Sequence, residues 1–317
     1  MSNSFAKWSA RYFVMVVFGW ASLCAQITSM NSDTHSIIGA RAAAFADSYV
    51  SDHSDVGAMY WNPASLAFVT RATIVANYAL ERVYGSDNLM TENVVAPIPL
   101  DSDWKFAAGF TLSHVGRQGA IGSPLSGMSF HQYSIEAGLA KKLSPAFSLG
   151  VLVDGKYGRG SSIALGSATS SFGVFYSPIP GLSYGAVFQG VGWGIEYGVV
   201  NGNTIPSRVK LDRSFQMGLS VSIPSRPGTE VVNLSLSNQK VLGVDGIVYK
   251  GGIEVIAMNF LALRSGYWVG PNTAAAKFGA GIFVGNFRFD YAASLSELEP
   301  RFHEVSLVYV LGINAKP

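Results

Sequence analysis

From residue 72 onward apolar side chains recur at every second position, and this period of two constrains the fold more than any other property of the chain. Phe147, Leu149, Val151 and Val153 share one face of such a stretch, while Ser148, Gly150, Asp154 and Lys156 share the other. Phe215, Met217, Leu219, Val221 and Ile223 alternate with Ser214, Gln216, Gly218, Ser220 and Ser222, and Val305, Leu307, Tyr309, Leu311 and Ile313 repeat the pattern near the C-terminus. A soluble sandwich also alternates, so periodicity alone leaves two classes open. The off-face positions, mostly Gly and Ser with occasional charges, suit a barrel with lipid outside and water or a plug inside.

Composition narrows the choice. Charged residues are 13% of the chain, about half the roughly 25% usual in soluble domains. Such a chain is too poor in charge for disorder and too rich in Gly, Ser and Tyr for a helical membrane bundle. The formal net charge of +2 gives no reason to expect a nucleic-acid partner. The charge-free span from Gly160 to Ile195 contains Pro178 and Pro180, which exclude a single spanning helix.

The first residues read as a signal peptide. Lys7 and Arg11 precede the apolar run Tyr12–Leu23, which is shorter than the roughly 20 residues a mature spanning helix needs. Cleavage is expected after Ala25, and Leu23 is bulky where a lipoprotein signal would place a small residue before Cys24. The mature chain is then free of cysteine and of disulfides. The expected division is a signal peptide at 1–25, a hatch or plug segment at 26–71 and a transmembrane β-barrel at 72–317 in the outer membrane.

Alternation and turn residues predict an all-β, 14-stranded antiparallel barrel, with strands at 72–80, 91–97, 104–115, 131–142, 147–157, 168–177, 182–190, 213–223, 229–236, 246–256, 260–268, 274–284, 287–294 and 302–313. Connections of about 4 residues alternate with connections of about 11, as short periplasmic turns alternate with longer outside loops in outer-membrane barrels. Trp104, Tyr157, Tyr176, Tyr267 and Trp268 fall near strand ends, where interfacial girdles lie, although aromatics favour strands in any case.

A wall of fourteen strands encloses a substantial lumen. The segment before the first strand, with Gly39-Ala40-Arg41-Ala42-Ala43-Ala44 and Tyr60-Trp61-Asn62-Pro63-Ala64, lacks strand alternation and is expected to fill that lumen as a plug; the alternative is a periplasmic extension. Glu136, Asp154, Lys156, Lys250, Glu254, Arg264, Arg288 and Asp290 interrupt strands where lipid exposure of a basic group costs up to about 2–4 kcal/mol, so they are assigned to the lumen. Glu254 and Arg264 lie at matched distances from the 257–259 turn, and Arg41 is a candidate partner for one of these carboxylates. The reading preferred for these charges is attachment of plug to wall rather than a transport pathway. The longest expected outside loop, 191–212, carries Trp193, Tyr197, Val199, Val200 and Ile205 and is a candidate lumen cap or partner surface.

No catalytic constellation emerges. His35, His53, His114, His131 and His303 fall in unrelated elements without metal-ligand spacing. Gly155–Ser162 has the composition of a phosphate loop but no helix after it. The chain is read as a non-enzyme, with no cofactor and no metal.

The stretch Gly39-Ala40-Arg41-Ala42, then Asp52-His53-Ser54-Asp55, then Ala58-Met59-Tyr60-Trp61-Asn62-Pro63-Ala64-Ser65-Leu66 resembles the N-terminal hatch of FadL-like outer-membrane barrels. Within them it is most similar to the PorV/PorQ group of type IX secretion, and His303–Tyr309 resembles that group's final strand. Ala43–Asp47 stands where the family has a glycine-rich run, and Ser65 where it commonly has glycine. The resemblance implies Gly39, Arg41, Trp61, Asn62, Pro63 and Ala64 as hatch residues. It implies docking of a translocon or secreted cargo in protein secretion or surface attachment, or alternatively uptake of a hydrophobic ligand such as a fatty acid.

Overall fold

The structure, a computed structural model, describes residues 38–53, 56–70, 72–82, 88–115, 130–160, 163–200, 203–226, 230–271, 274–294 and 301–311. The expected signal peptide and the hatch residues before Ile38 lie outside these, as do Ser54 and Asp55. The strands are β1 (Thr73–Arg82), β2 (Asn88–Pro99), β3 (Trp104–Val115), β4 (Phe130–Ser144), β5 (Phe147–Arg159), β6 (Ile163–Ile179), β7 (Leu182–Val200), β8 (Asn203–Val209), β9 (Ser214–Arg226), β10 (Glu230–Val241), β11 (Val248–Ala257), β12 (Leu261–Val269), β13 (Ala274–Val284), β14 (Phe287–Ser294) and β15 (Arg301–Val310).

Each strand pairs antiparallel with its neighbours, and β1 pairs with β15 to close the ring. The wall has fourteen positions because β8 and β9 occupy one of them. Gln189 faces Ser214 across β7–β9 and Gly194 faces Val209 across β7–β8, so both pieces keep a single register with β7. Residues 210–213 interrupt this composite strand opposite 190–193, where Gly190 adopts a left-handed φ of 79°.

This composite hairpin replaces the expected loop at 191–212. β7 runs for 19 residues, and its second half extends past β9 as an arm that pairs with β6 on one side and with β8 on the other. Gly192, Gly194 and Gly198 carry no side chain to register alternation, which is why the sequence reads as a loop there. β6 likewise begins at Ile163 rather than 168. Elsewhere the agreement is close, with β3, β13 and β14 starting and ending at the predicted residues.

The connections 145–146, 180–181, 258–260 and 285–286 share one end of the barrel, while short ones at 160–162 and 201–202 lie at the other. In the 258–260 turn Met258 and Asn259 both have left-handed φ values, 53° and 59°, whose twist matches that of a tight hairpin. The opposite end carries longer connections, including 116–129.

The outward face is an apolar belt, with Ile135, Leu263, Tyr133, Val153, Phe172 and Phe289 exposed. A transmembrane barrel turns such a surface to lipid. Tyr157, Tyr176 and Tyr267 also face outward. Trp268 does not: it shares the inward parity of the buried Ala262 and Arg264 on β12, so the girdle expectation fails for that residue. Inward positions carry Ser, Gly, Thr, Asn, Gln and charges together with apolar side chains such as Val95, Leu152 and Phe175, and residues 38–53 and 56–70 fill the space they enclose.

Candidate functional site

Among the described residues the lumen segment has a short helix, α1 (Ala40–Ala44), followed by 3-10 turns at Val56–Tyr60 and Pro63–Phe68. The wall completes the helix start. Gly39 N–H donates to Glu304 Oε1 at 2.6 Å and Ala40 N–H to Ser306 Oγ at 2.8 Å, satisfying two donors that the helix itself leaves free.

Arg41 projects from α1 into a buried ionic network. Its Nε and Nη2 donate to the two oxygens of Glu254 at 3.0 and 2.7 Å, a bidentate fork, while Nη1 donates to the Tyr49 hydroxyl at 2.6 Å and lies 3.4 Å from Asp52. Glu254 also receives Arg264 Nε at 2.5 Å and Asn233 Nδ2 at 2.6 Å. Arg264 reaches Asp290 at 2.7 Å, which in turn binds Arg288 at 2.6 Å. Three guanidinium groups thus alternate with Asp52, Glu254 and Asp290. Lys277 binds Asp47 of the plug at 2.6 Å. The lumen charges Glu136, Asp154 and Lys156 stand elsewhere on the wall: Thr111 donates to Glu136 at 2.8 Å, Lys156 lies 3.3 Å from Asp154, and Asp154 accepts from Thr169. Lys250 sits over the ring of the buried Trp61, 5.9 Å from its centroid.

The second half of the plug is held by fit. Asn62 Oδ1 accepts from Ala64 N–H at 3.1 Å and caps the Pro63–Phe68 turn, in which Pro63 takes the first position. Its Nδ2 donates to the carbonyls of Val50 in the plug and Val174 in the wall, at 2.8 and 2.9 Å. Gly150, Gly173 and Gly185 face this turn, and a Cβ on any of them would strike the backbone of Pro63 and Ala64, the Asn62 side chain or the Val50 carbonyl. Gly252, Gly266 and Gly279 make the same allowance for Ala44, Phe45 and Ala46. The inner-face glycines that the sequence shows only as small residues are therefore notches cut for a particular plug.

Burial pushes the Tyr60 hydroxyl well above its usual pKa, so it stays protonated and accepts from Asn93 at 2.9 Å. His53 packs edge-on against Phe68 and Phe175 while keeping an exposed edge, and the partial desolvation lowers its pKa. The gap between Arg41, Tyr49 and the wall residues Asn77, Arg288 and Asp290 holds about 10 Å³, room for about one water molecule at most.

A larger cavity lies on the outside. Tyr176, Tyr184, Leu219 and Leu236 stand in line across four paired strands, with Ala186 facing Met217 in the next row, and together they line a groove of about 590 Å³. Its floor includes Gly185 and Gly218, whose inner sides touch Val50, so a single thickness of backbone separates groove from plug. On the arm, Trp193 and Tyr197 are exposed, Trp193 at 61%. Val199, Val200 and Ile205 lie on the same arm, with side chains outside the described set.

No protein-family model and no curated protein sequence matches the chain. Solved structures do. The toluene transporter TodX of Pseudomonas putida is 14% identical, with 86% of this chain and 96% of that one covered at a TM-score of 0.58. The monoaromatic hydrocarbon channel CymD is 12% identical, with 89% and 99% covered at 0.62. A FadL homologue of Pseudomonas aeruginosa is 12% identical, with 80% and 94% covered at 0.51. The fold is shared with these FadL-like barrels over nearly their whole length, and the likeness does not single out the PorV/PorQ group.

Proposed function

We propose that this protein is an outer-membrane barrel that takes up hydrophobic small molecules, with residues 38–70 as its gate. The observation that carries the reading is the outward groove of about 590 Å³, of ordinary ligand-site size, backed by Gly185 and Gly218 against Val50 of the plug. A ligand dissolved in the bilayer reaches this groove without crossing water, and the gate lies directly behind it. The hydrocarbon-transporting barrels that share the fold support the same class of cargo. No nucleophile, acid–base pair or cofactor cradle enters this reading, which is that of a non-enzyme.

Uptake of radiolabelled toluene and oleate by cells carrying the intact protein tests the proposal. Accumulation above that of cells lacking it, reduced when Ala186→Trp fills the groove, is the expected result; equal accumulation in all three strains overturns it.

A second reading, docking in protein secretion or surface attachment, is favoured by the arm formed by β7 and β8, which presents Trp193 and Tyr197 to the outside. Exposed aromatic side chains are common anchors for a protein partner. Purification from native membranes under mild detergent separates the two readings. Recovery of a translocon or secreted cargo, abolished by Trp193→Ala with Tyr197→Ala, supports docking, whereas a solitary barrel carrying apolar ligand supports uptake.

A further inference from the structure

His114 and His131 are 17 positions apart in sequence, yet the β3–β4 register sets them directly opposite one another. Both alternate with buried neighbours, Ser113 and Gln132, and so point outward, one residue short of the strand ends at Val115 and Phe130. β3 has 12 residues, and its inward end at Trp104 adjoins a short connection, so His114 belongs to the opposite rim, where a membrane strand of about 9–11 residues has already left the hydrocarbon. The two rings are 4.3 Å apart and tilted by 32°, and the two Nδ1 atoms approach to 3.0 Å.

Two imidazoles that meet nitrogen to nitrogen hold each other only if one carries its proton on Nδ1 and the other does not, since two N–H groups or two lone pairs repel. A shared cation removes that requirement, because both rings then offer a lone pair. We propose that His114 and His131 form a bidentate site for a first-row divalent metal ion at the outer rim, with copper(II) or nickel(II) preferred to zinc(II). With metal–nitrogen bonds of about 2.0–2.1 Å, donors 3.0 Å apart subtend roughly 90–97° at the ion. Square-planar and octahedral ions adopt that angle, while a tetrahedral ion would spread the same donors to about 3.3 Å.

Among the described residues no third His, Cys, Asp or Glu joins the pair, so solvent fills most remaining positions. Met90 faces His114 across β2–β3 and is the one soft side chain in register with the site. The ion would clip β3 to β4 at their outer ends, far in sequence from the plug network around Arg41.

The test uses the full mature chain without a histidine tag, purified in detergent and freed of metal with chelator. Copper(II) chloride and zinc(II) sulfate are titrated separately by calorimetry, and the copper form is examined by electron paramagnetic resonance. One copper equivalent is expected, with hyperfine structure from two imidazole nitrogens and tighter binding than zinc. His114→Gln and His131→Gln should each weaken copper binding at least about tenfold, the lower end of what losing even an outer-shell partner costs, while His303→Gln leaves it unchanged. Should either variant fail to close as a barrel, the resonance spectrum of the unmodified protein decides alone. Binding that is absent, shows no imidazole nitrogens, or survives both substitutions intact overturns the proposal.

Discussion

Both halves of the plug sit against wall glycines, but only the first adds a buried ionic network. Around Arg41 the contacts are buried charges, in which each guanidinium faces a carboxylate and Glu254 and Asp290 are each shared by two. Around Asn62 the contacts are shape and backbone, with wall glycines admitting Pro63 and Ala64 and one side-chain amide bridging two carbonyls. The first kind fails all at once when a partner is removed, because an unpaired buried charge is costly. The second kind loosens by degrees. In the proposed gate the Arg41 half stays tethered, and the half around Asn62, which has no ionic network and lies behind the outward groove, is the end suited to move.

The largest effect should come from Glu254→Ala, which leaves Arg41 and Arg264 facing each other without their shared anion. A loss of about 3–5 kcal/mol is expected, read as a lowered temperature for the heat-dependent mobility shift of the folded barrel, together with raised ion conductance in planar bilayers. A stability unchanged within 1 kcal/mol, on the order of a surface substitution, would remove the distinction between the halves. Gly185→Val comes next. Its branched side chain collides with the Val50 carbonyl, costing about 1–3 kcal/mol. Here the barrel should persist while limited proteolysis cuts the plug faster, which separates gate from wall. Asn62→Ala removes the cap and strands two carbonyls, for about 1–2 kcal/mol by the same proteolysis assay.

The smallest effect concerns pH. Partial desolvation by Phe68 and Phe175 lowers the His53 pKa, so the unfolded segment binds the proton more readily than the docked one. Docking stability is therefore complete above the unfolded value of about 6.5 and declines as pH falls below it, levelling off beneath the docked value. His53→Asn should flatten plug proteolysis rates between pH 7 and roughly 5. A steepened dependence in that variant would assign the titration to another group.

Most of the wall is legible in the sequence because alternation is a property of single strands. Phe215 through Ile223 declare their faces without help from the rest of the chain. The Glu254–Arg264 pairing follows from the tight turn between them, since a short hairpin leaves one register. Trp268 misleads because closeness to a strand end says nothing of parity. The arm is hidden by its glycines, which take part in the ladder without marking it. The plug contacts are hidden for a different reason: Gly150 or Gly185 is read as small, but what it is small for depends on a segment docked from far away in the chain. His114 and His131 look unrelated until β3 and β4 are paired residue by residue.

Arg41 and Glu254 are 213 positions apart, and Gly39 and Glu304 are 265. The earliest part of the stopper to be synthesised must therefore wait, unmatched, until the last third of the polypeptide has taken its place. Since β1 and β15 are the two strands that seal the cylinder, a cork seated while the staves are still open needs no passage through the mouth of the finished vessel.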